Sequence, residues 1–262
     1  MIDYHIHTKL CNHAKDTITA YIDNAIRAGL KEICFLEHLT IRPDPKISMS
    51  PDEIPLYFEA VQVMKYRYIK KIKIKIGLEV DFHPEYINLI NDIVNRFAFD
   101  VIGGAVHFLS GLNIVGKKDA NHYENTDIND LYAKYFEEID KMLDFDYFDV
   151  VCHIDIIKKF GYTPKRTFEK EIDLILKKIK KKNLVLELNT NGYKQPIKEQ
   201  YPSSWILKQC FEKGIDVTIG SDSHKSEDVG FYNDKALSLL HQIGYKDVIV
   251  FNKRKPSRFK IC

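Results

Sequence analysis

Long hydrophobic runs are missing from this chain: no apolar stretch in its 262 residues approaches the roughly 18 needed to span a bilayer. No hydrophobic leader segment opens it either, since Asp3 and His5 stand where that run would lie. A soluble, cytoplasmic protein with no membrane partner is expected. Paired cysteines are also missing. Cys11, Cys34, Cys152, Cys210 and Cys262 are odd in number, widely spread and without a C-x-x-C pair, which argues against a disulfide framework or a cysteine zinc cluster. Cys34 and Cys152 fall in apolar runs and read as buried thiols; Cys11, close to several histidines, is at most a minor metal contact. Nor is there an excess of charge, with 39 Lys+Arg against 37 Asp+Glu. Basic runs such as "KKIKIKIG" from Lys70, "KKIKKK" from Lys177 and "KRKPSRFK" from Lys253 lack interleaved stacking aromatics. They read as lysine-rich helix surfaces and chain ends, so no nucleic-acid partner is expected. No linker, composition break or internal repeat divides the chain, and a single domain over residues 1–262 is expected.

What is present is alternation. Short apolar runs at 31–38 ("KEICFLEH"), 74–82 ("IKIGLEVDF"), 99–108 ("FDVIGGAVHF"), 148–153 ("FDVVCH"), 183–191 ("NLVLELNTN") and 216–224 ("DVTIGSDSH") read as strands, after a first strand at the start. Amphipathic segments lie between them. The first carries Ile18, Ile22, Ala25 and Ile26 on one face, with Asp16 or Thr17 as cap and Gly29 as stop. Others carry Leu131, Tyr135, Ile139 and Met142, then Ile172, Ile175, Leu176 and Ile179, then Ala236, Leu239, Leu240 and Ile243. Strand and helix in turn imply an α/β fold with a parallel sheet, and this many units favour closure into a barrel. Residues 40–55 and 110–126 read as loops over its mouth.

The histidines follow the strands. His5 and His7 are two apart on the first strand and leave from one face. His13 follows on the next loop; His38, Glu79, His107 and His153 end or follow four later strands; Asp222 and His224 end the last. In a parallel barrel those ends form one rim, where such folds place their chemistry. Any one of these histidines alone reads best as a hydrogen-bonded structural residue. Seven of the ten histidines plus two acids on one rim do not. His83, His122 and His241 fall elsewhere and are left out. Nine nitrogen and oxygen donors exceed one ion's needs and suit two to three divalent ions, Zn, Mn or Fe, rather than magnesium or calcium. Clustered divalent ions suit in-line attack on a phosphate ester.

At this point the sequence resembles the polymerase-and-histidinol-phosphatase (PHP) superfamily, within it the monofunctional histidinol-phosphatase branch. The likeness is carried by "DYHIHT", "EH" at Glu37–His38, "GLEVDF", "GAVHFL", "HIDIIKKFG", "LELNTNGY", "YPSSWILKQC" and "GSDSHKSEDVG", in the expected order from residue 3 to about 230. It implies a distorted (β/α)7 TIM-like barrel with a trinuclear centre. Carried over, His5, His7, Glu79 and Asp222 would hold one ion. Glu79 would bridge to a second with His107 and His153, and His13, His38 and His224 would hold the third. Two departures stand out. Where the family often has an arginine for the substrate phosphate, this chain offers Lys158 and Lys159, of which Lys159 is the choice; lysine lacks the bidentate fork. "GGAVH" replaces Gly-Ser-Val-His, removing a hydroxyl but no ligand.

The resemblance implies hydrolysis of L-histidinol phosphate, a small-molecule phosphate ester, by in-line attack of a metal-bridging hydroxide, in a monomer or homo-oligomer. Asp222, His224 and Lys159 are the residues expected to act in the chemistry. Asp3 is expected to orient a ligand imidazole, and groups on the long loops or near Glu187 and Asn189 to meet the substrate's amine and imidazole. Three alternatives stand beside this reading. A phosphoesterase for a nucleotide, a phosphotyrosine protein or a small phosphodiester would share the ligands and differ in substrate panel. A non-catalytic metal-binding module would lose nothing on His7→Ala. A metal-dependent amidohydrolase would need a metal-bridging lysine that no strand end supplies.

Overall fold

The apolar runs are nearly continuous rather than alternating because both faces of each strand are buried, as a parallel sheet wrapped in helices requires. The computed structural model describes residues 1–41 and 47–261. Residues 42–46 of the 40–55 connection, and Cys262, lie outside the described residues. In chain order the elements are β1 (Ile2–Ile6), α1 (Ile18–Arg27), β2 (Glu32–Leu39), α2 (Ile54–Arg67), β3 (Lys73–Asp81), α3 (Ile87–Arg96), β4 (Val101–Ala105), β5 (Phe108–Leu109) and β6 (Leu112–Asn113). There follow α4 (Ile128–Met142), β7 (Val150–Val151), α5 (Glu169–Lys181), β8 (Val185–Asn189), α6 (Ser204–Glu212), β9 (Val217–Gly220), α7 (Asn233–Ile243), β10 (Asp247–Asn252) and β11 (Lys255–Lys260). Short 3₁₀ turns fill several connections.

Seven strands make one sheet in the order β1-β2-β3-β4-β7-β8-β9, and every pairing in it is parallel. Its two edges meet: His7 N donates to Ser223 O at 3.0 Å and Ser223 N donates to His5 O at 3.2 Å. The sheet therefore closes into a seven-stranded (β/α) barrel, a single domain, as expected. Registers set the strand ends level, with His38 opposite Glu79 and Glu79 opposite Gly103. The helices pack outside through the stripes read from sequence. In α1, Thr17 Oγ1 accepts from Ala20 N, Tyr21, Ile22 and Ala25 are buried, and Gly29 at φ +72° ends the helix. Asp16 is not the cap; its carboxylate accepts from Ser226 N at 2.9 Å instead. Three further helices, α2, α3 and α6, supply the remaining crossovers. No helix among the described residues is long and apolar enough to cross a membrane.

Three details differ from expectation. The 99–108 run is two pieces: β4 stops at Ala105 and Phe108 starts the β5–β6 hairpin. The 110–126 connection holds β6 and a 3₁₀ turn over Lys117–Tyr123, so it is more ordered than a plain loop. The "KRKPSRFK" end is no solvated tail but β11 with the turn before it, paired antiparallel to β10. This hairpin covers the barrel end opposite the strand C-termini. Phe251 N donates to Tyr4 Oη, and Arg254 Nε donates to Asp149 Oδ2 at 2.9 Å.

Candidate metal centre

His5 and His7 leave the same face of the first strand and its end, and their ring centroids stand 4.9 Å apart. Glu79, fully buried on β3, lies at the centre of the rim. Its carboxylate is 2.8 Å from His38 Nδ1, 2.7 Å from His153 Nε2, 3.3 Å from His5 Nε2 and 3.4 Å from His107 Nε2. Asp222, just past β9, faces it: its Oδ1 is 3.2 Å from His7 Nε2 and 3.9 Å from His5 Nε2. His7 stacks at 4.1 Å on both His38 and His224, and His13 at 4.4 Å on His224. All nine residues expected on the rim are thus brought together. His83 rests against Tyr86 and His241 meets the Ile261 carbonyl, outside this group.

Whether these side chains fit metal ions can be read from what they leave unpaired. His5 Nε2, His7 Nε2, His224 Nε2 and Glu79 Oε2 are buried and, although the first, second and fourth have other ligand atoms 2.8–3.3 Å away, none makes a hydrogen bond of good geometry among the described residues. Four such orphans in one place would be costly unless a cation satisfied them. Ligand atoms converge within 4.8 Å in the groups His5–His7–Glu79, His5–His153–Asp222 and His7–His38–His224, among others. The donor set fits divalent ions. His7 enters the group expected for His13, which sits farther out beside Cys11 and His224. The Cys11 thiol is already engaged, donating to Thr8 O at 3.1 Å and accepting from Ala14 N at 3.2 Å; burial keeps it protonated.

Charge in the rim is balanced by contact. Burial, then His38 and His224, hold His7 well below the ordinary imidazole pKa. Burial likewise lowers His13 to about 4 and His224 to about 3, so these rings are neutral, the form that binds metal. His5 goes the other way: burial opposes its charge, but Glu187, Glu79 and Asp222 more than offset that and raise it. Burial works against ionised Glu79 and Asp222, yet the surrounding imidazoles hold both well below the usual carboxylate range. Two rim residues carry left-handed backbone, His153 at φ +23° and Asp222 at φ +52°. Such non-glycine conformations cost free energy and persist where surrounding contacts enforce them.

Carboxylates behind the rim hold the rings. Glu187 Oε1 is 2.6 Å from His5 Nδ1, and its Oε2 accepts from His153 N at 2.9 Å. Glu37 accepts from Thr8 N at 2.7 Å and His38 N at 3.0 Å and lies 3.3 Å from His7 Nδ1. Asp81 accepts from His107 N at 2.8 Å. Supporting partners of this kind fix ring orientation and tautomer. Glu187 and Asn189 are therefore buried behind His5 rather than facing a ligand; Asn191, Lys194 and Gln195, farther along the same connection, line the open bowl instead. Asp3 orients no imidazole. It accepts from Ser221 N at 2.9 Å, Gly230 N at 2.8 Å and His5 N at 3.2 Å, pinning backbone on either side of Asp222. Sequence reading missed that Glu37 and Glu187 support the histidine rings from behind. The available signal was a carboxylate inside an apolar strand, "FLEH" and "VLELN", which burial obliges to find partners.

The bowl above the rim is a cavity of about 740 Å³. His38, His107, Asp222, His224 and Lys159 are among its walls. Lys159 Nζ donates to Val115 O at 2.8 Å, and burial lowers its pKa from the ordinary lysine value. Lys158 is committed elsewhere, to Asp155 at 2.8 Å and Glu199 at 2.7 Å. Of the two lysines, only Lys159 lines the bowl.

A parallel barrel whose strand ends gather imidazoles and carboxylates under an open bowl defines the class of metal-dependent barrel hydrolases. Within that class, the PHP domain family matches residues 3–191, and the chain belongs to it. A protein of Deinococcus radiodurans named "Probable histidinol-phosphatase" is 30% identical over 258 residues, covering 97% of this chain and 98% of that protein. The histidinol-phosphatase of Lactococcus lactis is 26% identical over 275 residues, covering 99% and 97%. The crystal structure of the L. lactis histidinol phosphate phosphatase, complexed with zinc, L-histidinol and phosphate, superposes with a TM-score of 0.85 over 98% of both chains, at 25% identity.

Proposed function

We propose that this chain hydrolyses L-histidinol phosphate to L-histidinol and inorganic phosphate, using two or three divalent ions held by the nine rim residues. The observation that carries this reading is the convergence of unpaired buried ligand atoms beneath an open bowl. It sits in a fold that superposes from end to end on a protein seen with zinc, L-histidinol and phosphate. His5, His7, Glu79 and Asp222 would form the inner set, Glu79 would reach across to His107 and His153, and His38, His224 and His13 would close the outer side. Ions bound there would polarise phosphoryl oxygens and supply a nucleophile at neutral pH. The chain's own residues do the rest. Glu187, Glu37 and Asp81 hold the ligand rings in place, so little rearrangement is needed at the moment of reaction. Lys159 supplies a positive charge on the wall where the phosphate would lie, and its tether to the Val115 carbonyl fixes its position. The apolar strand ends beneath the rim keep water from approaching it from below.

The test is steady-state hydrolysis of L-histidinol phosphate against nucleotides, phosphotyrosine peptides and small phosphodiesters, with metal content measured on the same samples. A strong preference for L-histidinol phosphate is expected. Comparable rates on all substrates would remove the substrate while leaving a phosphatase. Activity unchanged in a folded His7→Ala variant would remove the metal centre.

A further inference from the structure

Most helices of this barrel are apolar on one face only, but α2 is apolar on two. Its inner face buries Ile54, Tyr57 and Val61 against the barrel. Its outer face, with the turn after it, presents Leu56 at 62% exposure, Val63 at 60%, Tyr66 at 82% and Ile69 at 69%. These are four of the most exposed large apolar side chains among the described residues; three lie on α2 and Ile69 on the turn that follows it. Leu56 and Val63 are seven residues apart, two helical turns, so they stand on one line along the helix. Single exposed apolar residues are ordinary, but a contiguous row of them marks a contact surface.

We propose that this face is the self-association surface of the chain, an antiparallel pairing of α2 with α2 of a second copy about a two-fold axis at Val63. The charge pattern selects the occupant. In a two-fold antiparallel helix pair centred on Val63, each residue meets the one equally far on the other side of the centre. Glu59 then faces the partner's Arg67, and Arg67 the partner's Glu59, four positions either way. Neither makes an ion pair within its own chain among the described residues. Lys65, by contrast, is already committed to Asp100 at 2.9 Å. The same register sets Tyr66 against the partner's small Ala60, which leaves room for the ring. Val63 meets itself on the axis. A surface that is complementary to itself in charge, size and apolar line under one symmetry operation needs no other molecule to explain it. One helix of 14 residues presents a small contact, so the pairing belongs to the weak, concentration-dependent class.

Sedimentation equilibrium of the full chain, from micromolar to millimolar, tests this. A reversible monomer–dimer equilibrium is expected, and Val63→Asp should abolish it while the circular dichroism spectrum and phosphatase rate stay unchanged. Glu59→Arg alone or Arg67→Glu alone should weaken the dimer about tenfold, since each contact occurs twice, and the double exchange should restore it. Val63→Cys should yield a disulfide-linked dimer under mild oxidation. A protein that stays monomeric throughout, a dimer indifferent to Val63→Asp, or single reversals that the double exchange does not rescue would each overturn the assignment. A monomer that instead binds lipid vesicles or a different protein through this face would overturn it too.

Discussion

Gly220 decides how closely two chemically important side chains can approach. A Cβ on it would overlap the Glu187 carboxylate and come within 2.5 Å of the His5 Cβ. The residue is therefore glycine for want of space. Gly220→Ala should push Glu187 off His5 Nδ1 and free the ring to rotate, with a loss of about 10–100-fold in metal affinity or activity, the usual effect of removing such a support. Metal titration together with steady-state rates on a variant of unchanged melting profile would check it, and an unaltered affinity would rule the support role out. Lys159 gives a second prediction at this scale. Burial lowers its pKa, so it loses its charge at a lower pH than an exposed lysine would. If that charge holds the substrate phosphate, kcat/KM falls as pH rises through the lowered pKa. Lys159→Ala should raise KM more than it lowers kcat and erase this alkaline limb. Lys159→Arg, permanently charged, should keep activity and carry the limb upward. A limb that stays in place in the arginine variant would assign it to another group.

Elements differ in how openly the sequence declares them. Six of the seven barrel strands were legible because burial on both faces makes each a compact apolar run, β1 because His5 and His7 alternate onto one face, and α1 because its cap, stripe and terminal glycine agree. The β10–β11 hairpin was not. Its turn runs through Lys253 at φ +49° and Arg254 at φ +63°, left-handed positions where a hairpin signal would ordinarily show Asn-Gly. Tertiary contacts hold that turn instead. Lys253 N donates to Asp100 Oδ1 at 3.1 Å, Arg254 N to Asp100 O at 2.8 Å, and the Arg254 guanidinium grips Asp149 and the Tyr147 carbonyl. None of these partners is near in sequence, so no local pattern could announce them. Arg254→Ala should then leave Asp149 without its cation and loosen the turn, at a cost of about 2 kcal/mol read from the urea midpoint. The activity of the folded fraction should persist, because the hairpin lies at the end of the barrel remote from the rim. Thr17→Ala, which removes only a helix cap, should cost about 1 kcal/mol. If Arg254→Ala proved no more costly than Thr17→Ala, the hairpin would be a passive cover rather than a tie across the barrel base.

Across the whole molecule, the rim could be anticipated from sequence because one rule, chemistry at the strand C-termini, assigns a common place to residues more than two hundred positions apart. Which acids support the rings could not be, since Glu37 and Glu187 are distinguished from Glu79 only by where their carboxylates end in three dimensions. The same geometry fixes how metal and folding are coupled. The barrel's apolar interior is complete without ions, and its seven strands are joined edge to edge by backbone hydrogen bonds, so a metal-free chain has every reason to stay folded, unlike a small zinc module. The rim nevertheless concentrates unpaired buried nitrogens and carboxylates, a destabilising arrangement that cations relieve. Ions that bind only the folded state stabilise it by mass action, about 4 kcal/mol for a free concentration a thousand times the dissociation constant. In a chain of this length about 1 kcal/mol moves the melting temperature by roughly 2 °C. Chelator-treated protein should therefore melt cooperatively but low, and zinc or manganese should raise its melting temperature by about 5–10 °C. Asp222→Ala and His7→Ala should blunt that rise, because each removes a ligand shared by the inner set, whereas His241→Ala should leave it intact. A melting temperature indifferent to metal in the parent chain, with the fold intact, would mean that these side chains satisfy one another and that the rim is not a metal centre.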